Sequence, residues 1–215
     1  MRVIAGSAGG IPLRLPKTDL RPTMDMVRGA IFSSLADAVP GKRILDLFAG
    51  CGSLAIEALS RGAASAILVD SDRKACACIE QNLQKTRLTA SVICSDVFRF
   101  LKTQLAINIA DVIFADPPYA KKPGDTDYAS ELLRHESLPR MLQTDGILVL
   151  EVATAWRCPP LESWELIKRK RYGSTEVVYL RRTPTVLGLA PDRALEKKAE
   201  SSPDTQIGHC LQEGA

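Results

Sequence analysis

The chain has 215 residues, of which 46% are hydrophobic and 25% are charged, and its formal net charge is +3. This length suits one α/β domain with a sizeable core plus short appendages. No apolar run is long enough to span a membrane, and the N-terminus lacks the apolar core of a signal peptide, so we expect a cytoplasmic protein with no membrane partner. Its six cysteines include no Cys-x-x-Cys pair, and with only two histidines in the chain no metal site and no disulfide framework are predicted.

The first 22 residues are predicted to form an RNA-binding hairpin arm outside the core of the sheet. Residues 2–5 and 12–15 flank the glycine-rich segment 6–10, which is typical of a small hairpin. Basic side chains are frequent in and just after this segment. Such a cluster is what binding to a nucleic-acid phosphate backbone requires, and an ordinary solvated surface is the simpler alternative. The arginines concerned are Arg2, Arg14, Arg21 and Arg28.

Residues 23–182 are predicted to form an α/β domain. Thr23 is a good N-cap for a helix in which Val27, Ile31 and Leu35 recur every fourth residue. Apolar strands and helical segments then alternate from residue 41, which favours a mostly parallel sheet closed by an antiparallel pair. Residues 183–215 change to a polar composition with little periodicity, and we expect a disordered tail there.

A glycine-containing loop follows the first predicted strand. The strand runs into Phe48, Ala49, Gly50 and Gly52, and glycines at this point let a ligand approach the backbone closely. The next glycine of a dinucleotide-binding pattern is replaced by Ala55. A nucleoside cofactor without a pyrophosphate therefore fits better than NAD.

Four predicted strands end in an aspartate: Asp46, Asp70, Asp96 and Asp116. Ligands of open parallel sheets bind at the carboxyl ends of the strands, so these acids are predicted to converge on one crevice. An acid at the tip of the second strand is where the ribose hydroxyls of a nucleotide cofactor are held. Helix N-capping is the alternative for any single one of them.

The fourth acid opens the tetrapeptide Asp116-Pro117-Pro118-Tyr119, directly after the apolar residues 112–115. A carboxylate and the following carbonyls accept hydrogen bonds, the prolines remove donors, and the ring offers a flat face. This combination suits the amino group of a planar, conjugated molecule. A strand followed by a proline-rich turn is the alternative.

Together these segments resemble the class I S-adenosylmethionine-dependent methyltransferases, and most closely the bacterial family that methylates guanine N2 in 16S ribosomal RNA. The resemblance covers roughly residues 2–182 and rests on segments 2–6, 21–23, 45–50, 57–63 and 116–119. It implies a Rossmann-like sheet of seven strands, mostly parallel with the last strand antiparallel. Gly29, Cys51 and Ala55 depart from the family pattern.

The resemblance also implies roles for particular residues. Asp116 and the Pro117 carbonyl would hold the target amino group while Tyr119, next to Pro118, stacks on the base. Asp70 would bind the ribose and Asp96 the adenine of S-adenosyl-L-methionine. The full set of cofactor-binding residues comprises Thr23, Asp46, Phe48, Ala49, Gly50, Gly52, Asp70, Ser71, Asp96 and Val97.

The implied partner is 16S ribosomal RNA within a small-subunit particle, bound through Arg2, Arg14, Arg21 and Arg28 by a monomer with no obligate protein partner. Enzymes that methylate DNA adenine or cytosine, or protein glutamine, use the same type of tetrapeptide. These activities therefore remain as alternatives. A non-catalytic RNA-binding module of the same fold is a third alternative. The intact acids at the strand ends argue against it.

Overall fold

The computed structural model describes residues 1–15, 24–104, 107–120, 122 and 124–184. Arg21, Thr23 and the tail from residue 185 onward lie outside the described residues. The described chain forms one sheet with helices on both faces. Its helices are α1 (Met24–Leu35), α2 (Ser53–Ser60), α3 (Arg73–Thr86), α4 (Val97–Thr103), α5 (Tyr128–Arg134) and α6 (Ser137–Met141), with a 3₁₀ turn at Ala36–Ala38, and its strands are β1 (Arg43–Leu47), β2 (Ser65–Asp70), β3 (Ser91–Cys94), β4 (Ala110–Ala115), β5 (Leu142–Ala153), β6 (Trp164–Tyr172) and β7 (Thr175–Arg182).

The seven strands lie in the order β3-β2-β1-β4-β5-β7-β6. Strands β1 to β5 pair in parallel, and β7 is antiparallel to both β5 and β6. The predicted seven-stranded sheet with an antiparallel closing pair is therefore confirmed. The chain order reverses between β1 and β4, and such a switch point opens a crevice at the carboxyl edge of the sheet.

Alternating side chains of the central strands build a separate core on each face of the sheet. Ile44 of β1 and Phe114 of β4 pack on the face covered by α1, α2 and α3, whereas Leu45 and Ile113 pack on the opposite face with α4, α5 and α6. Because both faces are covered, these strands are continuously apolar. Among the described helices none is long and apolar enough to cross a membrane.

The N-terminal arm is packed onto the domain beside the sheet. Its two halves meet in one antiparallel bridge between Arg2 and Pro12, so it adds no strand to the sheet. Val3, Ala8 and Leu13 are nevertheless buried in the same core as α1 and α2. This burial fixes the position of the arm beside the first helices.

Glu57 and Ser60 of α2 anchor the arm through main-chain groups. The buried Glu57 carboxylate accepts hydrogen bonds from the amides of Ile4 (2.6 Å) and Ala5 (3.1 Å). The Ser60 hydroxyl accepts from the Ala8 amide at 2.9 Å and donates to the Ala5 carbonyl. Sequence reasoning predicted this helix but used Glu57 and Ser60 only as part of the family resemblance. Its role as an anchor depends on contacts more than 50 positions apart.

Gly6→Ala should release this anchor. Gly6 has φ +85°, and an added Cβ would lie 1.8 Å from the Ser60 carbonyl oxygen. We expect the free energy of unfolding to fall by about 3 kcal/mol, from backbone strain and the clash together. Gly10→Ala is the matched control, since Gly10 has φ +84° with nothing near its Cβ position, and should cost about 1–2 kcal/mol. Equal losses in denaturant unfolding would show that the arm is not docked on α2.

Candidate functional site

The carboxyl ends of β3, β2, β1 and β4 lie side by side and form one edge of the crevice. Parallel pairing places Asp70 opposite Cys94, and Cys94 comes two residues before Asp96 in the chain. Leu47, the last residue of β1, lies next to both Val69 of β2 and Ala115 of β4. The four strand ends that sequence reasoning selected are therefore brought together at one edge. The side chains at those ends differ in burial and in hydrogen bonding.

The loop after β1 turns sharply through left-handed backbone conformations. Phe48, Gly50 and Gly52 have φ of +58°, +58° and +76°. A Cβ on Gly52 would press against Leu68 and Ile79 at 3.0 and 3.3 Å, so this glycine brings the loop close to β2 and α3. A Cβ on Gly50 would meet nothing within 4 Å. The main chain at Gly50 thus borders open space in which a ligand can approach it.

Asp70 ties this loop to the end of β2. One carboxylate oxygen accepts the Gly50 amide at 2.8 Å, and the other accepts the Asp72 amide at 2.9 Å. The side chain is half-buried. Each carboxylate oxygen can accept a second hydrogen bond, so Asp70 can still bind a pair of hydroxyl groups.

Asp46 lies beneath the loop, only 2% exposed, and accepts the Ala55 amide of α2 at 3.1 Å. Burial raises the pKa of this carboxyl to about 8, and the nearby Asp70 charge adds to the effect. At this exposure the carboxylate does not line the open surface of the loop. In this structure Asp46 fixes the start of α2 under the loop, and its place beside the cofactor stays a prediction.

The pH dependence of stability should report this buried carboxyl. Folding raises the pKa of Asp46 from the ordinary aspartate value of 3.8 to about 8, so the folded state holds the proton more tightly than the unfolded chain. The free energy of unfolding should therefore fall as pH rises between these two values, by at most about 1.4 kcal/mol per pH unit. Asp46→Asn keeps an acceptor for Ala55 and should remove this slope. An unchanged slope in denaturant unfolding at several pH values would contradict the assignment.

The adenine side of the predicted site is more open. Asp96 is exposed and caps α4 by accepting the Arg99 amide at 2.9 Å, so the capping alternative applies to it. Ser71 is exposed, while the cap of α3 is Asp72. The Val97 side chain is buried in the core, which leaves its main-chain N–H as the group available to a ligand.

Aromatic rings flank the glycine loop. The Phe48 ring lies 6.4 Å from that of Phe98 and 6.0 Å from that of Tyr128, and the last two are stacked on each other. These rings come from the loop and from the first turns of α4 and α5. Sequence reasoning found Phe48 but missed the other two, because their proximity depends on how the helices pack.

The tetrapeptide leaves β4 at the same edge. Asp116 is half-buried, Pro117 is buried and Pro118 is exposed. The Tyr119 hydroxyl donates to Glu151 of β5 at 3.1 Å and lies 3.4 Å from the Thr175 hydroxyl. Burial raises the pKa of this phenol, and the Glu151 and Asp116 charges raise it further. Tyr119 is thus neutral and held in one orientation by a side chain that sequence reasoning missed.

The predicted RNA-binding arginines differ in exposure. Arg2 and Arg14 are exposed, and Arg14 donates to the Gln81 amide oxygen at 2.7 Å. Arg28 is only 2% exposed and donates to the Arg2 carbonyl and to Asp25. The assignment of Arg28 to RNA is therefore corrected, since a guanidinium directed into the protein cannot reach a phosphate.

The model of the family described as "Conserved hypothetical protein 95" matches residues 1–181. The chain belongs to this family. A Bacillus subtilis relative provisionally named rRNA methyltransferase, YlbH, is 38% identical over 188 residues, which cover 85% of this chain and 100% of the relative. Ribosomal RNA small subunit methyltransferase D of Haemophilus influenzae is 30% identical over 177 residues, which cover 80% and 89% of the two chains.

Solved structures agree with the sequence relatives. The Escherichia coli protein yhhF, provisionally described as a methyltransferase, is similar with a TM-score of 0.69 at 30% identity, over 85% of this chain and 97% of that one. The family and the fold predicted from the sequence are thus confirmed. The roles of individual residues stay predictions.

Proposed function

We propose that this protein transfers a methyl group from S-adenosyl-L-methionine to the exocyclic N2 of a guanine in 16S ribosomal RNA. The observation that carries the proposal is the tetrapeptide beginning at Asp116, which leaves β4 beside the glycine loop and Asp70 at the switch point of the sheet. The names of the relatives support an RNA substrate in the small ribosomal subunit. Guanine N2 as the acceptor follows from the family resemblance.

The residues at the crevice fit this cofactor. Asp70 offers acceptors for the ribose hydroxyls, and the open space beside Gly50 gives access to the main chain. Asp96 and the Val97 amide, at the start of α4, suit the adenine. The carboxyl of Asp46 lies below, where a positively charged ligand would favour its ionised form. The assignments of Arg21 to RNA and of Thr23 to the cofactor stay predictions.

The amino group of guanine is a poor nucleophile, and the tetrapeptide is assigned to activate it. When bound, the cofactor supplies an electrophilic methyl group on sulfur. The lone pair of a guanine amino group is delocalised into the ring, and hydrogen bonds from its two N–H groups to Asp116 and the Pro117 carbonyl would localise it on nitrogen. Asp116 then accepts the surplus proton, directly or through water. Orientation and electrostatics account for most of the effect.

Tyr119 is assigned to hold the base. The amino group of a stacked base is inaccessible, so the guanine must swing out of its surroundings, and an aromatic ring compensates the lost stacking. The hydrogen bond from the Tyr119 hydroxyl to Glu151, together with the contact with Thr175, keeps the Tyr119 ring in place before any base binds. A pre-oriented ring loses less conformational entropy on binding.

Transfer of a tritiated methyl group tests the proposed function. Small-subunit particles from a strain that lacks the enzyme are incubated with the protein and labelled S-adenosyl-L-methionine, and the RNA is digested to nucleosides. We expect label in N2-methylguanosine. Label in adenine or cytosine of DNA, or in protein glutamine, would support the alternative substrates. Cofactor binding without transfer to any of these would leave only a binding module.

Two arm arginines provide a prediction about RNA binding. Arg2 and Arg14 are exposed on the docked arm, so Arg2→Ala with Arg14→Ala should weaken RNA binding and reduce its salt dependence by nearly one log unit per lost phosphate contact. Cofactor affinity should be unchanged. Arg134→Ala with Arg140→Ala removes the same charge from α5 and α6 and is the control. Equal salt slopes for the two double variants would rule out a specific role for the arm.

A further inference from the structure

A cavity of about 260 Å³ lies directly beside the tetrapeptide. Its walls are residues 117–120, the end of β5 with the segment up to Arg157, and Asp127 and Ala129 at the start of α5. Neither Asp116 nor any residue of the glycine loop is among the described residues that line it. The cavity therefore adjoins the reacting position, shares the wall formed by residues 117–119 with it, and extends from there towards Trp156.

The indole of Trp156 forms one wall and is held in place on several sides. Its N–H lies 3.2 Å from both the Asp127 carboxylate and the Ser130 hydroxyl. The Ser130 hydroxyl also donates a hydrogen bond to the Asp127 carboxylate at 2.6 Å. Arg169 lies over the ring at 5.9 Å and is itself fixed by a bidentate ion pair with Glu176. The ring is thus oriented before any ligand binds, which lowers the entropic cost of stacking on it.

The chemistry of the walls fits one unpaired nucleotide. Prolines, alanines and Val152 offer an apolar lining, and the indole offers a flat face for a base. The exposed Arg157 guanidinium stands at the wall, and the described residues include no hydrogen-bond or ion-pair partner for it. Of the basic run 168–171 on β6, Arg169 is the residue that reaches Trp156. A base in the cavity and its phosphate on Arg157 would satisfy both features.

We propose that this cavity binds the nucleotide next to the methylated guanine, with its base stacked on Trp156 and its phosphate bound by Arg157. The proposal rests on the proposed function, because it requires an RNA substrate. When the target guanine leaves its stack to reach Asp116, the neighbouring base loses a stacking partner. Trp156 replaces that partner and holds the strand open. The cavity then determines which sequence context around the guanine is accepted.

Four variants test this subsite: Trp156→Ala, Trp156→Phe, Arg157→Ala and, as control, Arg140→Ala. Arg140 is an exposed arginine in α6, just before β5 and hence at the opposite edge of the sheet. KM and kcat are measured with unmethylated small-subunit particles, and particle binding is titrated with salt in the presence of S-adenosylhomocysteine. Trp156→Ala should raise KM about tenfold, the loss of one stacked base, while Trp156→Phe keeps most of the affinity.

Arg157→Ala should raise KM and lower the salt slope by nearly one log unit, whereas Arg140→Ala should behave as the wild type. Cofactor affinity and the unfolding midpoint show whether the Trp156→Ala variant is still folded. Because the Arg157 side chain is exposed, its replacement should not disturb folding, and the salt slope of Arg157→Ala reports RNA contact even if Trp156→Ala is unstable. If the wild type methylates the particle while both substitutions leave KM and slope unchanged, the subsite is wrong and the proposed function stands. Equal losses for Arg157→Ala and Arg140→Ala also overturn it. If the wild type methylates no RNA, both proposals fail.

Discussion

Asp116→Ala should reduce the rate of methyl transfer at least about 10²–10³-fold while cofactor affinity stays close to that of the wild type. The carboxylate is assigned to the target amino group and to its surplus proton, and loss of one group that stabilises developing charge has an effect of this size. The measurement is single-turnover methyl transfer at saturating cofactor, together with calorimetry of cofactor binding. A variant that loses the cofactor but keeps its rate would place Asp116 in the wrong part of the site.

Two further substitutions sharpen this test. Asp116→Asn keeps one acceptor for the amino group but cannot take up a proton, so its rate should lie between those of wild type and Asp116→Ala. Asp111 lies near the other end of β4, where its carboxylate binds Arg43 at 2.9 and 3.1 Å. Asp111→Ala should therefore affect stability and leave the transfer rate unchanged. A rate loss equal to that of Asp116→Ala would point to a general effect of damaging the strand.

Asp70→Ala should raise the dissociation constant of the cofactor by one to two orders of magnitude. A hydrogen bond to a charged group contributes roughly 1.5–3 kcal/mol, and this much binding free energy is lost with it. The carboxylate also holds the Gly50 amide at 2.8 Å, so the loop beside the open space loses its anchor as well. Calorimetric titration with S-adenosyl-L-methionine measures the effect. Unchanged affinity would remove Asp70 from the site.

The neighbouring acid provides the control for this change. Asp72 caps α3 through the Lys74 amide at 2.8 Å and is exposed. Asp72→Ala removes the same charge two residues away, and we expect a small loss of stability with little change in cofactor affinity. If both variants bind the cofactor equally weakly, the effect of Asp70 is that of charge alone. Asp70→Asn should then restore nothing, although it keeps an acceptor for Gly50.

The fold could be predicted because its signals are local. Each strand is a short apolar run, each helix has its own periodicity, and glycines mark the turn after β1, so element types follow from neighbouring residues. Strands joined by crossover helices pair in parallel and run in the same direction, which places all their carboxyl ends on one edge. For this reason Asp70, Asp96 and Asp116 could be assigned to one crevice from the sequence alone, and the four strand ends do meet there.

Burial could not be predicted in the same way. Arg28 and Asp46 have the residue types of a phosphate ligand and a cofactor ligand, yet each is 2% exposed. Their surroundings are set by residues distant in the sequence, since Arg28 bonds to the Arg2 carbonyl and lies 3.9 Å from Glu57. A sequence pattern indicates what a side chain can bind. Only packing decides whether that side chain is at the surface.

The sequence by itself determined the parallel sheet, the order of its motifs and the acids at its strand ends, because hydrophobic periodicity and turn residues act over a few positions. The tertiary structure alone decided the docking of the arm on Glu57, the bond between Tyr119 and Glu151, and the cavity beside Trp156. The hydrogen bonds in these features join residues 26 to 53 positions apart. Such contacts form only when the whole core packs, and their geometry depends on the summed packing of both faces of the sheet.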